Sequence, residues 1–386
     1  MSDDALTGIT DAAQNFGITP EDYMLPARSL IRMVDQDGNP TTSGPGPEPG
    51  HDYPVPADED LLSAYRRLVI GRRINDQNSA LVRQGRMAVY PSSHGQEACQ
   101  VAVAECLEDG DWLFPTYRDT VAVISRGVPP VEAMTVFRGD WHGGYDPTEH
   151  RVGIQSTPLT TQLLHAVGAA HAARLRGEDT VVVALCGDGA TSEGDFHEAL
   201  NFAAVFQLPV IFFVQNNQYA ISVPLARQTV APSLAHKAVG YGMAGERVDG
   251  NDLVALLAVL ERGMRLVRGG AGPLLVEAQT YRIQAHTNAD DATRYREDAE
   301  VQEWLAKDPV KRMRAYLTHQ GLLDDELQAR TEQDAEQVAT ELRDGLNQDV
   351  TPDPQQLFSH VYTVPTPQLA EQSAQLADEL AREEAS

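Results

Sequence analysis

The chain has 386 residues, 56 acidic against 30 basic, for a formal net charge of −26. That length suffices for one large or two modest domains with a sizeable core, and so negative a field repels phosphate backbones, which argues against nucleic acid as a partner. The three cysteines Cys99, Cys106 and Cys186 form no CxxC and sit among apolar residues, the start lacks a basic and apolar leader, and no run approaches 18 apolar residues. Core thiols, a reducing cytoplasm and no membrane association are therefore expected.

Residues 1–57 read as an N-terminal arm. Its stretch 41–56, TTSGPGPEPGHDYPVP, is too rich in Pro and Gly for a helix or central strand. It is either an extended segment draped over a partner or a partly disordered tail. From Asp58 the apolar spacing of Leu61, Leu62, Tyr65, Leu68 and Val69 predicts a long amphipathic helix reaching Gln84, and 95–107 a second. Helix is then predicted over 163–175, strand over 180–186, helix over 194–206, strand over 209–215, helix over 231–241 and 251–268, and strand over 273–280. Strands separated by helices imply an α/β fold: a doubly wound, mostly parallel sheet with helices on both faces, here assigned to residues 58–297. Residues 298–386 read as a helical, acidic C-terminal extension.

The informative stretch is CGDGATSEGDFHEALN at 186–201, followed by the pair Asn216 and Asn217 at the end of the next apolar strand. Glycines at 187 and 189 allow close approach of backbone to a ligand, and Asp188 lies just past a strand end. Ser192 and Asp195 predict a capping box for the next helix, whose stripe of Phe196, Ala199, Leu200, Ala203 and Ala204 fits packing on a sheet. A structural turn alone would explain either motif. Together, an Asp188 carboxylate and an Asn217 amide oxygen at the ends of two parallel strands are hard ligands suited to Mg²⁺ carrying a diphosphate, with the Tyr219 carbonyl as a third oxygen. A dinucleotide fingerprint would need Gly where Ser192 stands, which disfavours a nucleotide-dependent oxidoreductase.

The run GDGATSEGDFHEALNFAAV, continued by LPVIFFVQNNQYAISVP, resembles the alpha subunit of the thiamine-diphosphate-dependent decarboxylase component of 2-oxoacid dehydrogenase complexes. The resemblance extends from about Tyr53 to the C-terminal helices. It implies Asp188, Asn217 and Tyr219 as Mg²⁺ ligands, with Gly187, Gly189 and Ala190 packing backbone against the cofactor diphosphate. Tyr117 and Arg118 in FPTYRDT match the family's pair at the diphosphate, where a guanidinium fork suits phosphate oxygens. Thr157 and Leu159 in STPLTTQ match cofactor contacts, Leu159 lying under the aminopyrimidine. Ser156, Pro158, Thr161 and Gln162 match a potassium site that braces the cofactor loop.

His286 in TYRIQAHTNADD matches the histidine on the mobile loop near the reacting carbon, although by itself a His between polar residues is a solvated loop residue. The regulatory phosphorylation position of mitochondrial relatives is Thr287 here, so kinase control is not expected. Two further histidines, His94 and His142, are weaker pocket candidates, and His165 and His197 read as core or partner contacts. Gln215 stands where some branched-chain relatives carry Arg, and Val89 where relatives place an aromatic wall of the acyl pocket.

No match to the family's activating glutamate is found in this chain. The resemblance therefore implies a beta subunit in an alpha2beta2 heterotetramer, and a lipoyl acyltransferase component that accepts the acyl group. Branched-chain features (STPLTTQ, ISVP, VGYGM, VDGND) outweigh those of the pyruvate type (VQNN, QTVAPSLAHKAV, FRGDWHGG), with pyruvate or acetoin as the alternative substrates. A non-catalytic scaffold with the same fold would tolerate loss of Asp188, Asn217 or Arg118, and all three are present.

Overall fold

Residues 7–41, 53–139, 143–348 and 353–385 are described by a computed structural model. The strands of these residues, in chain order, are β1 (Trp112–Phe114), β2 (Val182–Gly187), β3 (Val210–Asn216), β4 (Tyr219–Ala220), β5 (Val223–Pro224), β6 (Ala244–Asp249) and β7 (Leu274–Gln279). β4 and β5 form a small antiparallel pair, while the rest form one sheet of order β1-β2-β3-β7-β6 in which every neighbouring pair is parallel.

Strand β3, VIFFVQN, is buried throughout, as a strand covered on both faces must be. Alternation along it divides the core. Val210, Phe212 and Val214 join Val182, Ala184 and Cys186 of β2 under the helices Thr161–Arg176 and Gly194–Val205, where Phe196, Ala199, Leu200, Ala203 and Ala204 are all buried as the stripe predicts. On the opposite face Ile211 and Leu274 meet the helix Leu253–Arg268. A Cβ on its Gly263 would lie 2.7 Å from Leu274 Cδ2 and 3.5 Å from Ile211 Cδ1. The doubly wound reading of the sequence is borne out.

Two strands of the five-stranded sheet were not foreseen. β1 has three residues, too few for a pattern to register. β6 reads AGERVD, and its charges look like a loop until Glu246 is seen paired with Arg262 at 2.8 Å, both buried. Each borders the sheet, and each carries an isolated bridge from elsewhere: Val152 beside Leu113, and Ile31 beside Val248.

Two local expectations are corrected. The capping box does not form: residues Gly189–Ser192 wind into a 3-10 turn, and the next helix begins after Glu193 with no side-chain cap. The reason is that Thr191 turns inward and donates its hydroxyl to the Asp188 carbonyl at 2.8 Å, which leaves Ser192 outside the helix. The helix expected over 231–241 is a shorter 3-10 turn, Ala235–Tyr241, held by Glu277 accepting the Ala235 N–H.

Residues 7–41 are not extended throughout; they include the helices Thr7–Phe16 and Pro20–Met24, the latter capped by Thr19. The stretch 41–56 lies for the most part outside the described residues, as does His142. The chain divides into a compact unit over 1–343 and a second over 344–386. The second contains the helix Pro367–Glu384, capped by Thr366. No helix of the described residues is long and apolar enough to cross a membrane. The cysteines are free: Cys99 and Cys186 are buried, and Cys106 partly so.

Candidate active site

Because β2 and β3 run parallel with Gly187 opposite Gln215, the residues that follow each strand leave from the same sheet edge. Asp188 and Asn217 are thereby brought together, and both line one cavity of about 730 Å³. Tyr117, Arg118, Ser156, Thr157, Pro158, Leu159, Gly187, Gly189, Ala190, Tyr219 and His286 line it as well. Thr161 and Gln162 do not. They begin the helix Thr161–Arg176, where buried Gln162 donates to the Leu159 and Leu185 carbonyls and its Oε1 has no hydrogen-bond partner.

Asp188 is 1% exposed, and burial pushes its carboxyl up, opposed chiefly by the Gln228 amide that donates to Oδ2 at 2.6 Å. The backbone around it is tightly placed: a Cβ on Gly189 would lie 2.7 Å from the Ala220 Cβ, whereas one on Gly187 would meet nothing within 4 Å. Asn217 accepts the Tyr219 N–H on Oδ1 at 3.2 Å and donates through Nδ2 to Gln96 at 3.0 Å. Lys237 fastens the 3-10 turn by donating to the Thr191 carbonyl at 2.8 Å.

The same cavity holds two arginines. Arg118, 6% exposed, donates to the Ser92 carbonyl at 2.9 Å and places Nη2 3.0 Å from both Nδ1 and the carbonyl oxygen of His286. Its guanidinium carbon lies 5.4 Å from the centre of the Tyr117 ring. Arg282, 1% exposed, reaches the Tyr219 carbonyl at 3.4 Å, the Ile221 carbonyl at 2.6 Å and His286 Nδ1 at 3.4 Å. Sequence reasoning passed over Arg282, as it did Gln228 and Gln96. The signal available for Arg282 was a lone cation just past an apolar strand, four residues before His286.

Two guanidiniums facing Nδ1 require that nitrogen to accept, so the proton of the neutral ring sits on Nε2. Burial, then Arg118 and Arg282, push His286 down from 6.5 to about 4, against the pull of Asp290. Between these values the unfolded chain binds the proton that the folded one refuses. The stability this ring contributes is complete above pH 6.5 and is lost as pH falls towards 4. Two-bond ¹⁵N–¹H correlations of the histidine-labelled chain, assigned with His286→Asn, should give a midpoint of about 4; the ordinary value of 6.5 would contradict the sandwich between the two arginines.

The remaining candidates differ. Gln215 lines the cavity, and its Nε2 donates to Asp119 at 2.6 Å. Val89 lines the cavity with Val136, Phe137 and Ile221. His94 is half-buried, lies outside that lining, and has no hydrogen-bond partner on either ring nitrogen. His165 and His197 are exposed, His197 meeting the Tyr241 hydroxyl.

Fold and cavity together define a doubly wound α/β protein with a deep cavity at the carboxyl edge of its parallel sheet, where enzymes of this architecture hold their ligands. Residues 65–354 match the family described as dehydrogenase E1 component, and the chain belongs to that family. It is similar to the 3-methyl-2-oxobutanoate dehydrogenase subunit alpha of Mycobacterium tuberculosis, 48% identical over 352 residues, which cover 91% of this chain and 94% of that protein. Similarity to the pyruvate dehydrogenase E1 component subunit alpha of Staphylococcus aureus is lower, 37% over 298 residues, covering 77% of this chain and 79% of that one. The branched-chain relative is thus the nearer of the two, in agreement with the balance of motifs in the sequence.

Proposed function

We propose that this chain is the alpha subunit of a branched-chain 2-oxoacid dehydrogenase, acting on 3-methyl-2-oxobutanoate with thiamine diphosphate and Mg²⁺. The observation that carries the reading is the meeting of Asp188 and Asn217 at one sheet edge, in a cavity also lined by two buried arginines. The 48% identity to a 3-methyl-2-oxobutanoate dehydrogenase subunit favours this substrate over pyruvate.

The donor set suits the group. One carboxylate, one amide oxygen and the Tyr219 carbonyl are the hard oxygens Mg²⁺ prefers, and such a metal would also relieve the burial cost of the Asp188 charge. Among the described residues no three His, Cys, Asp or Glu side chains gather as a metal site. The open space beside the α-carbon of Gly187 leaves room for a diphosphate against the backbone, and Arg118 supplies a guanidinium to it. Gln162 Oε1, a buried oxygen with no hydrogen bond, favours the proposed potassium site with Ser156, Pro158 and Thr161.

When bound, thiamine diphosphate supplies an electron sink for the pair left as the 2-oxoacid loses carbon dioxide. The protein's share is positioning. Asp188, Asn217 and Tyr219 would hold the metal, Leu159 would support the cofactor, and Arg118 would balance the phosphate charge. His286, neutral and protonated on Nε2, would offer a hydrogen bond to the bound ligand. Val89, Val136, Phe137 and Ile221 form an apolar wall suited to a branched acyl chain.

The alpha2beta2 assembly, a lipoyl acyltransferase partner that takes the acyl group, and a bacterial cytoplasmic setting complete the reading. Steady-state comparison of the chain with its beta subunit tests the substrate. kcat/KM for 3-methyl-2-oxobutanoate and 4-methyl-2-oxopentanoate should exceed that for pyruvate by at least about tenfold, since methylenes in an apolar pocket are worth roughly 1–3 kcal/mol. Equal or greater values for pyruvate would overturn the branched-chain assignment.

A further inference from the structure

A side-chain amide can present either its oxygen or its nitrogen, and only the groups around it decide which. Asn217 is useful to a cation only if its oxygen faces the cation. The neighbours that fix it form a line of buried groups: Asp119, Gln215, Gln96 and Asn217, none more than 6% exposed.

Asp119 starts the line. Its Oδ2 accepts both the Thr116 N–H at 2.7 Å and the Thr116 hydroxyl at 2.6 Å, and its Oδ1 accepts Gln215 Nε2 at 2.6 Å. With its nitrogen committed to Asp119, Gln215 turns its oxygen the other way, and that oxygen receives Gln96 Nε2 at 3.2 Å and Gln100 Nε2 at 3.3 Å. Gln96 therefore points its own oxygen at Asn217, which donates Nδ2 to it at 3.0 Å. Each link has one donor and one acceptor, and all run in the same sense. The last amide is left with its oxygen free of any side-chain donor, accepting only the Tyr219 N–H at 3.2 Å.

We propose that Asp119, Gln215 and Gln96 are positioning residues: an amide relay that sets the Asn217 oxygen towards the metal. The relay deepens the cofactor reading and rests on it. Its direction is set at Asp119, which touches neither metal nor substrate. Replacing that carboxylate by an amide reverses the line. In Asp119→Asn the Thr116 N–H still demands an oxygen, so the new nitrogen faces Gln215. Gln215 and then Gln96 must turn over, and Asn217 ends with its nitrogen where the cation needs an oxygen.

The test uses the full chain with its beta subunit, thiamine diphosphate, and Mn²⁺ in place of Mg²⁺, free Mn²⁺ being read by electron paramagnetic resonance. Asp119→Asn and Gln96→Met should each weaken Mn²⁺ binding at least about tenfold, a loss of about 1.4 kcal/mol. Gln96→Glu, which keeps an acceptor towards Asn217, should stay within about threefold of wild type. If Asp119→Asn does not fold, as judged by thermal melting, the two Gln96 variants carry the comparison. Binding by Asp119→Asn and Gln96→Met equal to wild type would overturn the relay, as would equal losses in Gln96→Met and Gln96→Glu. Absence of Mn²⁺ binding in the wild type would instead reject the cofactor reading, and the relay with it.

Discussion

Asp188→Ala is expected to abolish Mg²⁺-dependent binding of thiamine diphosphate, with a loss of at least about 100-fold in affinity, or about 2.7 kcal/mol. Asp188 contributes the one charge among the proposed protein ligands, and a hard divalent cation gains most from a carboxylate. Asp188→Asn, which keeps an oxygen and loses the charge, should fall between Ala and wild type. The same Ala substitution should cost little stability in the absence of cofactor. Burial already pushes this carboxyl up, and the Gln228 amide is the principal group opposing it. Calorimetry with the assembled protein reads the first effect and chemical denaturation the second. Affinity unchanged in Asp188→Ala would remove the metal assignment, and a large stability loss with intact binding would make Asp188 a structural residue.

Without a beta subunit the chain should show no decarboxylation of any 2-oxoacid with ferricyanide or dichlorophenolindophenol as acceptor, and addition of the subunit should restore it. The carboxylates lining the cavity are Asp188, engaged by the proposed metal, and Glu193. Glu193 is exposed and precedes the helix Gly194–Val205 without capping it. Neither is a buried acid suited to activating the far end of the cofactor, and the proposed reading draws that acid from the beta subunit. Glu193→Gln should accordingly keep most of the activity of the assembled enzyme, within about threefold, where loss of a true acid–base group costs about 10²–10⁴-fold. Robust turnover by the isolated chain, or its collapse in Glu193→Gln, would contradict the two-chain site.

Much of the site was legible because it uses residues that strand ends demand anyway. The glycines 187 and 189, Asp188 and the Asn pair stand immediately after apolar runs whose length and composition identify them as buried parallel strands. Once those strands are neighbours in register, their ends must converge. Gln96 and Gln228 were not legible, since a single polar residue carries no period, and the partners that matter lie tens to hundreds of positions away. Gln96 meets Gln215 across 119 positions, and Gln228 meets Asp188 across 40. Strand β6 was hidden for a related reason, its buried Glu246 being neutralised by an Arg262 that no local pattern links to it.

Both margins of the sheet are capped by the chain itself. At β6, Ile31 donates to the Arg247 carbonyl at 3.0 Å and accepts the Asp249 N–H at 3.0 Å; at β1, Leu113 accepts the Gly153 N–H at 2.7 Å and donates to the Arg151 carbonyl at 3.0 Å. An uncovered margin would recruit a strand from any neighbouring molecule. Here an isolated bridge at each margin engages some of the backbone groups that would do so. At these positions an approaching chain meets side chains, which discriminate between partners, and not free backbone, which does not. For a protein proposed to work only beside a specific companion, that favours fidelity of assembly over strength of association.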